Sequence, residues 1–296
     1  MLAYLNGHFL PRSAASIPVD DRGFVFGDGV YEVWRAVGGS LFESERHVAR
    51  LQRGLDELKI PRPDVATTPR LHDIARRLLT DSDLLHGDAT FYVEVTRGVA
   101  PRTHHFPKGT VSPTIYATVN RLNTPEEIRQ RGAECITMPD VRWLRCDIKS
   151  VQLLPNVLAK QAAEEQHAIE AILVRDGVVT EGSHTNVIAV LDGVLRTHQT
   201  NNLILPGVTR AIVLEIARSL GIQVSEDAFG AREIPRLEEL FLVGTTTDVM
   251  PLVRVDGNPV GDGKPGPIAR RLQAELRARL DALRPADPPA LASIAP

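Results

Sequence analysis

The apolar positions of the chain follow two periods, which separate helix-like from strand-like segments. Over residues 43–58 the apolar side chains, among them Val48 and Leu51, recur every three or four residues with arginine and glutamate between them. This spacing places them on one face of an amphipathic helix, and Pro61 prevents its continuation. Similar patterns predict further helices over residues 69–79, 157–167, 208–220 and 267–283.

Other segments are rich in β-branched and aromatic residues, which favour strands. Between them lie Asn-Gly, Gly-Gly and Asp-Gly pairs, the residues that two-residue hairpin turns prefer. The predicted strands cover residues 90–96, 114–119, 171–175, 186–190 and 240–244, and the predicted turns are at residues 6–7, 38–39, 176–177, 192–193 and 256–257.

The order of these elements predicts an α+β protein of two domains. At 296 residues the chain is long for one domain, and residues 121–125 are polar and turn-prone, as an interdomain connector is. We therefore expect a small α/β domain over residues 1–120, a linker over 121–125 and a larger domain over 126–284. Residues 285–296 are rich in proline and alanine and are expected to form a frayed tail.

Composition narrows the classes of function. The net charge of −3 and the 24% of charged residues argue against a protein that mainly grips nucleic-acid phosphate. No apolar run reaches the ~20 residues of a membrane span, and Met1 to Phe9 lacks the features of a signal peptide, so a cytoplasmic location is expected. The two cysteines, Cys135 and Cys146, have no zinc spacing and are expected to be buried thiols, with no metal site.

Five lysines are present, and one of them has unusual neighbours. Lys149 ends a strand-like stretch beside Ile148 and Val151, where apolar surroundings favour the neutral, nucleophilic amine. A snorkelling surface lysine is the alternative, and this segment alone favours it by about two to one.

Three further segments carry candidate chemistry. Glu181 is expected at a tight turn between two strands, where it is either a fixed functional carboxylate or a solvated hairpin residue. The run Leu205-Pro-Gly-Val-Thr209 opens a helix with free amides, which suit an anion or simply a proline-initiated cap. Gly244-Thr245-Thr246-Thr247 follows an apolar strand. Its hydroxyls and amides either donate to the same anion or only form a turn, which threonine favours.

A loop after a buried strand carries Arg102, His104 and His105. A guanidinium with a nearby imidazole suits a substrate carboxylate. The two histidines could instead be half of a metal site, but no second cluster of ligands has matching spacing.

Together these segments resemble the class IV, or fold type IV, pyridoxal 5'-phosphate (PLP) aminotransferases, and most closely their D-amino acid branch. The matching motifs occur in the family's order over about residues 4 to 280. They are residues 21–32, 47–51, 96–98, 102–106, 142–150, 180–183, 205–210 and 244–246.

The resemblance implies a small α/β domain, a larger pseudo-barrel domain and PLP between them. It makes Lys149 the Schiff-base lysine and proton shuttle, and it places Glu181 against the pyridine nitrogen. It also assigns cofactor contacts at the phosphate and on the ring face. The implied phosphate ligands are Arg50 and amides or hydroxyls at Val208, Thr209, Gly244 and Thr245, and Leu205 would pack on the ring.

Tyr31, Arg102 and His104 resemble the family's trap for the substrate carboxylate. In the family, Arg102 and His104 would reach the active site from the partner of a homodimer. The implied activity is transamination between D-amino acids and 2-oxo acids, with D-alanine and 2-oxoglutarate as the expected pair. An L-branched-chain aminotransferase, an aminodeoxychorismate lyase and a non-catalytic binding protein are the alternatives. His184 and Pro206 depart from the family's usual small hydroxyl residue and lysine, which leaves the side-chain preference open.

Overall fold

The first part of the chain forms an antiparallel sheet backed by helices. A computed structural model describes residues 1–123 and 125–285. The sheet has the order β2-β1-β6-β5-β3-β4. Its strands are β1 (Leu2–Leu5), β2 (His8–Pro11), β3 (Gly29–Val37), β4 (Ser40–Leu41), β5 (Asp88–Thr96) and β6 (Thr114–Arg121), and the helices are α1 (Arg22–Phe26), α2 (Ser44–Glu57) and α3 (Thr68–Asp81).

The apolar faces of α2 and α3 account for the core of this part. Leu51 and Leu55 of α2 and Leu78 of α3 are almost completely buried. They pack with Trp34 of β3 and Phe91 of β5 in one hydrophobic cluster. Burial of such a helix face, rather than helix propensity alone, is what stabilises helices of this length.

The second part of the chain forms a nine-stranded mixed sheet. The strand order is β12-β11-β10-β13-β14-β7-β8-β9, with β15 paired to β14. Its strands are β7 (Ala133–Pro139), β8 (Glu170–Arg175), β9 (Val178–Gly182), β10 (Asn186–Leu191), β11 (Val194–Thr197), β12 (Val224–Ser225), β13 (Glu239–Gly244), β14 (Asp248–Val255) and β15 (Asn258–Pro259), and its helices are α4 (Glu126–Arg131), α5 (Leu154–Glu165), α6 (Val208–Ser219) and α7 (Pro267–Asp281).

The connection between β9 and β10 shows that this sheet is curled. Along the sheet β9 lies five strand spacings from β10, which is about 24 Å in a flat sheet. The chain from Gly182 to Asn186 spans at most about 14 Å, so the two strands can be joined only if the sheet bends round on itself. The predicted α+β class and pseudo-barrel are thereby confirmed.

Most predicted elements occur, with shifts at their ends. The third predicted helix, residues 157–167, runs instead over Leu154–Glu165, because Pro155 suits a first helical turn. The prediction of a strand-like stretch before Lys149 was wrong: residues 140–149 form irregular backbone. Of the predicted linker, residue 124 lies outside the described residues, and so does the predicted tail from residue 286 onwards.

Among the described residues, no helix is both long enough and apolar enough to cross a membrane. Cys135 and Cys146 are both buried free thiols, as expected.

Candidate active site

A cavity of about 1030 Å³ lies between the two sheets and gathers most of the predicted site residues. The predicted lysine, the predicted glutamate and the predicted anion-binding groups all line it. These residues are Tyr31, Arg50, Lys149, Glu181, Leu205, Val208, Thr209, Gly244 and Thr245. Arg102 and His104 do not line it.

Lys149 is held in the cavity by pairing of its backbone with β3. The Tyr31 amide donates to the Lys149 carbonyl at 3.0 Å, and the Val151 amide donates to the Gly29 carbonyl at 3.1 Å. The Lys149 Nζ atom lies 4.2 Å from the centre of the Tyr31 ring. The amine is therefore half-buried against an aromatic face inside a cavity. This arrangement does not match a snorkelling surface lysine.

Glu181 lies within β9 and not at a turn, which corrects the expectation from the sequence. Its carboxylate accepts hydrogen bonds from Arg142, from Asn186 Nδ2 at 2.9 Å and from the Leu205 amide at 3.1 Å. Glu181 is 5% exposed. Burial raises the pKa of Glu181 to about 7, against the lowering effect of the Arg142 charge. The alternative of a solvated hairpin glutamate is excluded.

Arg142, Asp140 and Asn186 were not identified as site residues from the sequence. Asp140 accepts from Arg142 Nη2 at 2.9 Å and from the Thr180 hydroxyl at 2.9 Å. Arg142 is thus fixed between two carboxylates, those of Asp140 and Glu181. The buried charges of Arg142 and Asp140 are therefore both paired. Arg142 lies in the motif that contains Lys149, and this was the signal that could have identified it. Its partner Glu181 is 39 residues away in the chain, so the sequence did not reveal the contact.

Arg50 occupies the other end of the cavity and is fixed from behind by Glu32. Its Nε and Nη2 atoms donate to the Glu32 carboxylate at 2.8 Å each, and His47 Nδ1 lies 3.0 Å from the same carboxylate. Glu32 is fully buried, yet the Arg50 and His47 charges hold its pKa well below the usual range. Arg50 Nη1 also donates to the Pro206 carbonyl at 2.9 Å. At position 206 the family usually has lysine. Because the contact to Arg50 uses the backbone carbonyl, the proline found here does not remove it.

Backbone amides complete this end of the cavity. Val208 and Thr209 are the first residues of α6, where backbone N–H groups have no partner within the helix. The preceding Gly207 admits no side chain, since a Cβ atom there would lie 2.0 Å from Asn186 Oδ1. Gly244, the last residue of β13, and Thr245, the first residue of the turn that follows, line the same cavity. An arginine, helix N-terminal amides and a threonine hydroxyl form a donor set suited to a phosphate dianion.

Arg102 and His104 lie on the exposed loop after β5. The Arg102 guanidinium is 5.4 Å, and the His104 ring 5.6 Å, from the centre of the Phe26 ring. Arg22 Nη1 anchors the loop by donating to the Thr103 carbonyl at 2.7 Å. The structure therefore brings Arg102 and His104 together with each other, but not with Lys149 in the same chain.

His184 lies at the cavity wall, half-exposed, next to a buried carboxylate. Its Nδ1 atom is 3.0 Å from Glu170 Oε2 and 3.1 Å from Ser183 Oγ. Burial acts to raise the pKa of Glu170, but the hydrogen bonds and charge of its neighbours hold it at about 2. Glu170 therefore orients the His184 ring, and His184 Nε2 is left as the nitrogen available to a ligand.

Comparisons with known proteins give the family of this chain. The sequence profile of the family "Amino-transferase class IV" matches residues 29–255. The chain belongs to the class IV aminotransferases. It is 41% identical over 271 residues to a D-alanine aminotransferase of Staphylococcus haemolyticus, covering 91% of this chain and 94% of the relative. The corresponding Bacillus licheniformis protein is 40% identical over 277 residues, 94% of this chain and 96% of the relative.

Solved structures of the class have the same fold. The branched-chain amino acid aminotransferase of Escherichia coli superposes with a TM-score of 0.86 at 22% identity, covering 98% of this chain and 97% of that one. The branched-chain aminotransferase of the archaeon Thermoproteus uzoniensis, solved with norvaline, has a TM-score of 0.82 at 23% identity, covering 95% of each chain. A further branched-chain amino acid aminotransferase, solved with pyridoxamine 5'-phosphate, has a TM-score of 0.84 at 25% identity, covering 96% of this chain and 95% of that one.

The cofactor of class IV aminotransferases is PLP, and the cavity residues fit its phosphate, its aldehyde and its ring nitrogen. Arg50 with the α6 amides suits the phosphate, the Lys149 amine suits the aldehyde, and the buried Glu181 carboxylate suits a protonated ring nitrogen. The steric exclusion at Gly207 lets the start of α6 pack directly against Asn186, which also holds the Glu181 carboxylate.

Proposed function

We propose that this chain is a PLP-dependent D-amino acid transaminase that exchanges the amino groups of D-alanine and 2-oxoglutarate, giving pyruvate and D-glutamate. One observation carries the proposal: a single cavity combines an amine, a buried carboxylate and a phosphate-type donor set. The 40–41% identity to D-alanine aminotransferases supports the choice of D-substrates.

In this proposal each end of the cavity has its own task. Arg50, Val208, Thr209, Gly244 and Thr245 bind the cofactor phosphate. Leu205 packs on the ring, and Glu181 keeps the ring nitrogen protonated. Arg142 and Asn186 leave the Glu181 carboxylate no freedom to turn away, because they hold both of its oxygens.

Lys149 performs the proton transfer. When bound, PLP supplies an electron sink that makes the substrate Cα hydrogen acidic. The Lys149 Nζ atom would take that proton from the substrate Cα and hold it for its return in the second half of the transfer. A positioned general base of this kind contributes roughly 10²–10⁴-fold to the rate. The Tyr31 ring beside Nζ restricts where the amine can lie.

Tyr31, Arg102 and His104 bind the substrate carboxylate, with Arg102 and His104 supplied by the partner of a homodimer. Two observations support this arrangement. Neither Arg102 nor His104 lines the cavity of its own chain. Large apolar side chains are also exposed around the cavity mouth, where a partner would cover them. They include Phe24 at 71%, Leu154 at 69%, Val157 at 57% and Leu158 at 60% exposed.

The domain division and the location belong to the same proposal. All strands of the first sheet lie within residues 2–121 and all strands of the second within 133–259, in keeping with a linker at 121–125. We also propose a cytoplasmic location, which cell fractionation tests.

The deciding experiment is a chiral panel of amino donors with 2-oxoglutarate as acceptor. We expect D-alanine to be a far better donor than L-alanine or L-leucine. Preference for L-leucine would instead indicate a branched-chain aminotransferase. Release of pyruvate from aminodeoxychorismate without an amino acceptor would indicate the lyase. A purified protein without bound cofactor absorbance, even after addition of PLP, would contradict all three enzymes.

A further inference from the structure

The turn between β13 and β14 is supported from outside the cavity. Gly244 pairs with Asp248, so Thr245 to Thr247 form the turn itself. Asp248 has a φ of 56°, in the left-handed region that aspartate, asparagine and glycine tolerate best. Asp248 directly follows Thr247, and its left-handed conformation helps the chain to change direction there. Contacts that fix Asp248 therefore also fix the turn.

Two buried arginines hold the Asp248 carboxylate. Arg35 Nη1 donates to Asp248 Oδ1, and Arg129 Nη2 lies 3.1 Å from Asp248 Oδ2. The side chains of Arg35, Arg129 and Asp248 are 2%, 7% and 10% exposed. Water therefore screens these ion pairs little, and they restrict the carboxylate more strongly than a surface pair would.

Arg35 connects this turn to the first sheet. It belongs to β3, and its second amino group, Nη2, donates to Asp88 Oδ2 of β5 at 2.6 Å. The guanidinium is planar and rigid, so it bridges two carboxylates in a fixed geometry that a lysine cannot reproduce. The turn of the second sheet is thus tied to a strand of the first.

The same strand fixes the opposite side of the phosphate end. Glu32, three residues before Arg35 on β3, accepts two hydrogen bonds from Arg50. Arg50 and the turn at Gly244 and Thr245 face the same cavity. Strand β3 therefore holds both groups, Arg50 of α2 through Glu32 and the turn after β13 through Arg35 and Asp248.

We propose that Arg35 and Asp248 are positioning residues for the cofactor phosphate, acting through Gly244 and the turn Thr245–Thr247. The inference rests on the proposed binding of the phosphate by Arg50 and this turn. It implies that the ion pair stabilises the bound phosphate without touching it.

The test compares PLP with pyridoxal, which lacks the phosphate, in the full chain freed of cofactor. We expect Asp248→Asn to weaken PLP binding about tenfold, the loss of one charge-assisted contact, and to leave pyridoxal affinity nearly unchanged. Asparagine keeps the shape and tolerates the left-handed φ. A direct charge effect predicts the opposite sign, because removing a negative charge near a phosphate would tighten PLP binding.

Asp88→Asn is the matched control, since it removes the charge of the other carboxylate on Arg35 while its amide oxygen still accepts from Arg35 Nη2, so that the bridge and the Arg35–Asp248 contact stay in place. It should not change the ratio of PLP to pyridoxal affinity. If Asp248→Asn does not fold, Arg35→Lys replaces it: this variant keeps the charge but cannot bridge Asp248 and Asp88, and the same selective loss is expected.

The proposal is overturned if the variant binds PLP as tightly as the wild type or more tightly, or if PLP and pyridoxal weaken equally. The variant Arg50→Gln distinguishes failure of this positioning role from failure of the proposed function. A selective loss of PLP in Arg50→Gln but not in Asp248→Asn refutes only the positioning role. No selective loss in either variant refutes the placement of the phosphate.

Discussion

The cavity around Lys149 and the loop that carries Arg102 differ in how complete they are within one chain. The Glu181 carboxylate and the Arg50 guanidinium both have hydrogen-bond partners from the same chain, and these side chains are only 7% and 9% exposed. Arg102 and His104 are exposed; they contact the ring of Phe26, which lines the cavity, but do not line the cavity themselves. The cofactor end is thus preorganised in a single chain, whereas in our proposal a second chain completes the substrate end.

This difference has a physical basis. A cofactor that stays bound through every turnover benefits from a rigid, desolvated cup whose donors are fixed in advance. A substrate must enter and leave, so its carboxylate contacts belong on a surface element. We therefore expect substitutions in the two regions to separate cofactor binding from substrate turnover.

The largest effect is expected for Lys149→Ala. This variant loses the general base and the covalent attachment, and turnover should fall by at least about 10⁴-fold. The other cavity contacts remain, so PLP should still bind noncovalently and the folded state should be retained. Steady-state assays, cofactor absorbance and thermal unfolding measure these three properties. A lysine adduct that borohydride still traps at full stoichiometry would show that another lysine does the chemistry.

Arg102→Leu should remove a bidentate contact to the substrate carboxylate. We expect kcat/KM for D-alanine to fall by the equivalent of about 2–5 kcal/mol, while PLP affinity stays unchanged. A near-normal kcat/KM for D-alanine would exclude Arg102 from the carboxylate site.

Mixing the two variants tests where Arg102 acts. If Arg102 comes from the partner, a mixed dimer of Lys149→Ala and Arg102→Leu chains contains one intact site, and exchange of subunits should restore roughly a quarter of wild-type activity. If Arg102 serves its own chain, no site is intact and activity stays low. Each variant alone, taken through the same exchange procedure, is the control.

Glu181→Gln should have a smaller effect. A neutral amide still fills the space but no longer favours a protonated ring nitrogen, so we expect the single-turnover rate to fall about 10–100-fold. The fold-decrease in cofactor affinity should be smaller than the fold-decrease in this rate. An unchanged rate would mean that the carboxylate has no role in the chemistry.

The smallest predicted effect is a pH dependence of cofactor affinity. In the cofactor-free chain, burial raises the pKa of Glu181 to about 7. Below that pH the carboxyl is protonated and must lose its proton to pair with a protonated ring nitrogen. Relative to Glu181→Gln, wild-type affinity should therefore fall by up to about tenfold per pH unit below pH 7 and be flat above it. Parallel curves for the two proteins would contradict the pairing.

The sequence predicted those features that depend on local order along the chain. The helix that contains Arg50 follows from an apolar period interrupted by Pro61, and the hairpins follow from Asp-Gly pairs. Lys149 and Glu181 were identified because they lie in motifs that keep the family's order. Their surroundings could not be predicted in the same way, because each segment taken alone favoured a surface lysine and a hairpin glutamate.

Periodicity and the order of the motifs were enough to establish the α+β class, the family and the residue types that carry the chemistry. The tertiary structure was needed to show that Glu32 of β3 fixes Arg50 of α2 and that Arg142 fixes Glu181 of β9. It also showed that Asp248 receives Arg35 from the other sheet. These pairs are separated by 18, 39 and 213 residues. Charges so far apart in the chain meet only when the elements that carry them pack together, and burial then makes each contact specific.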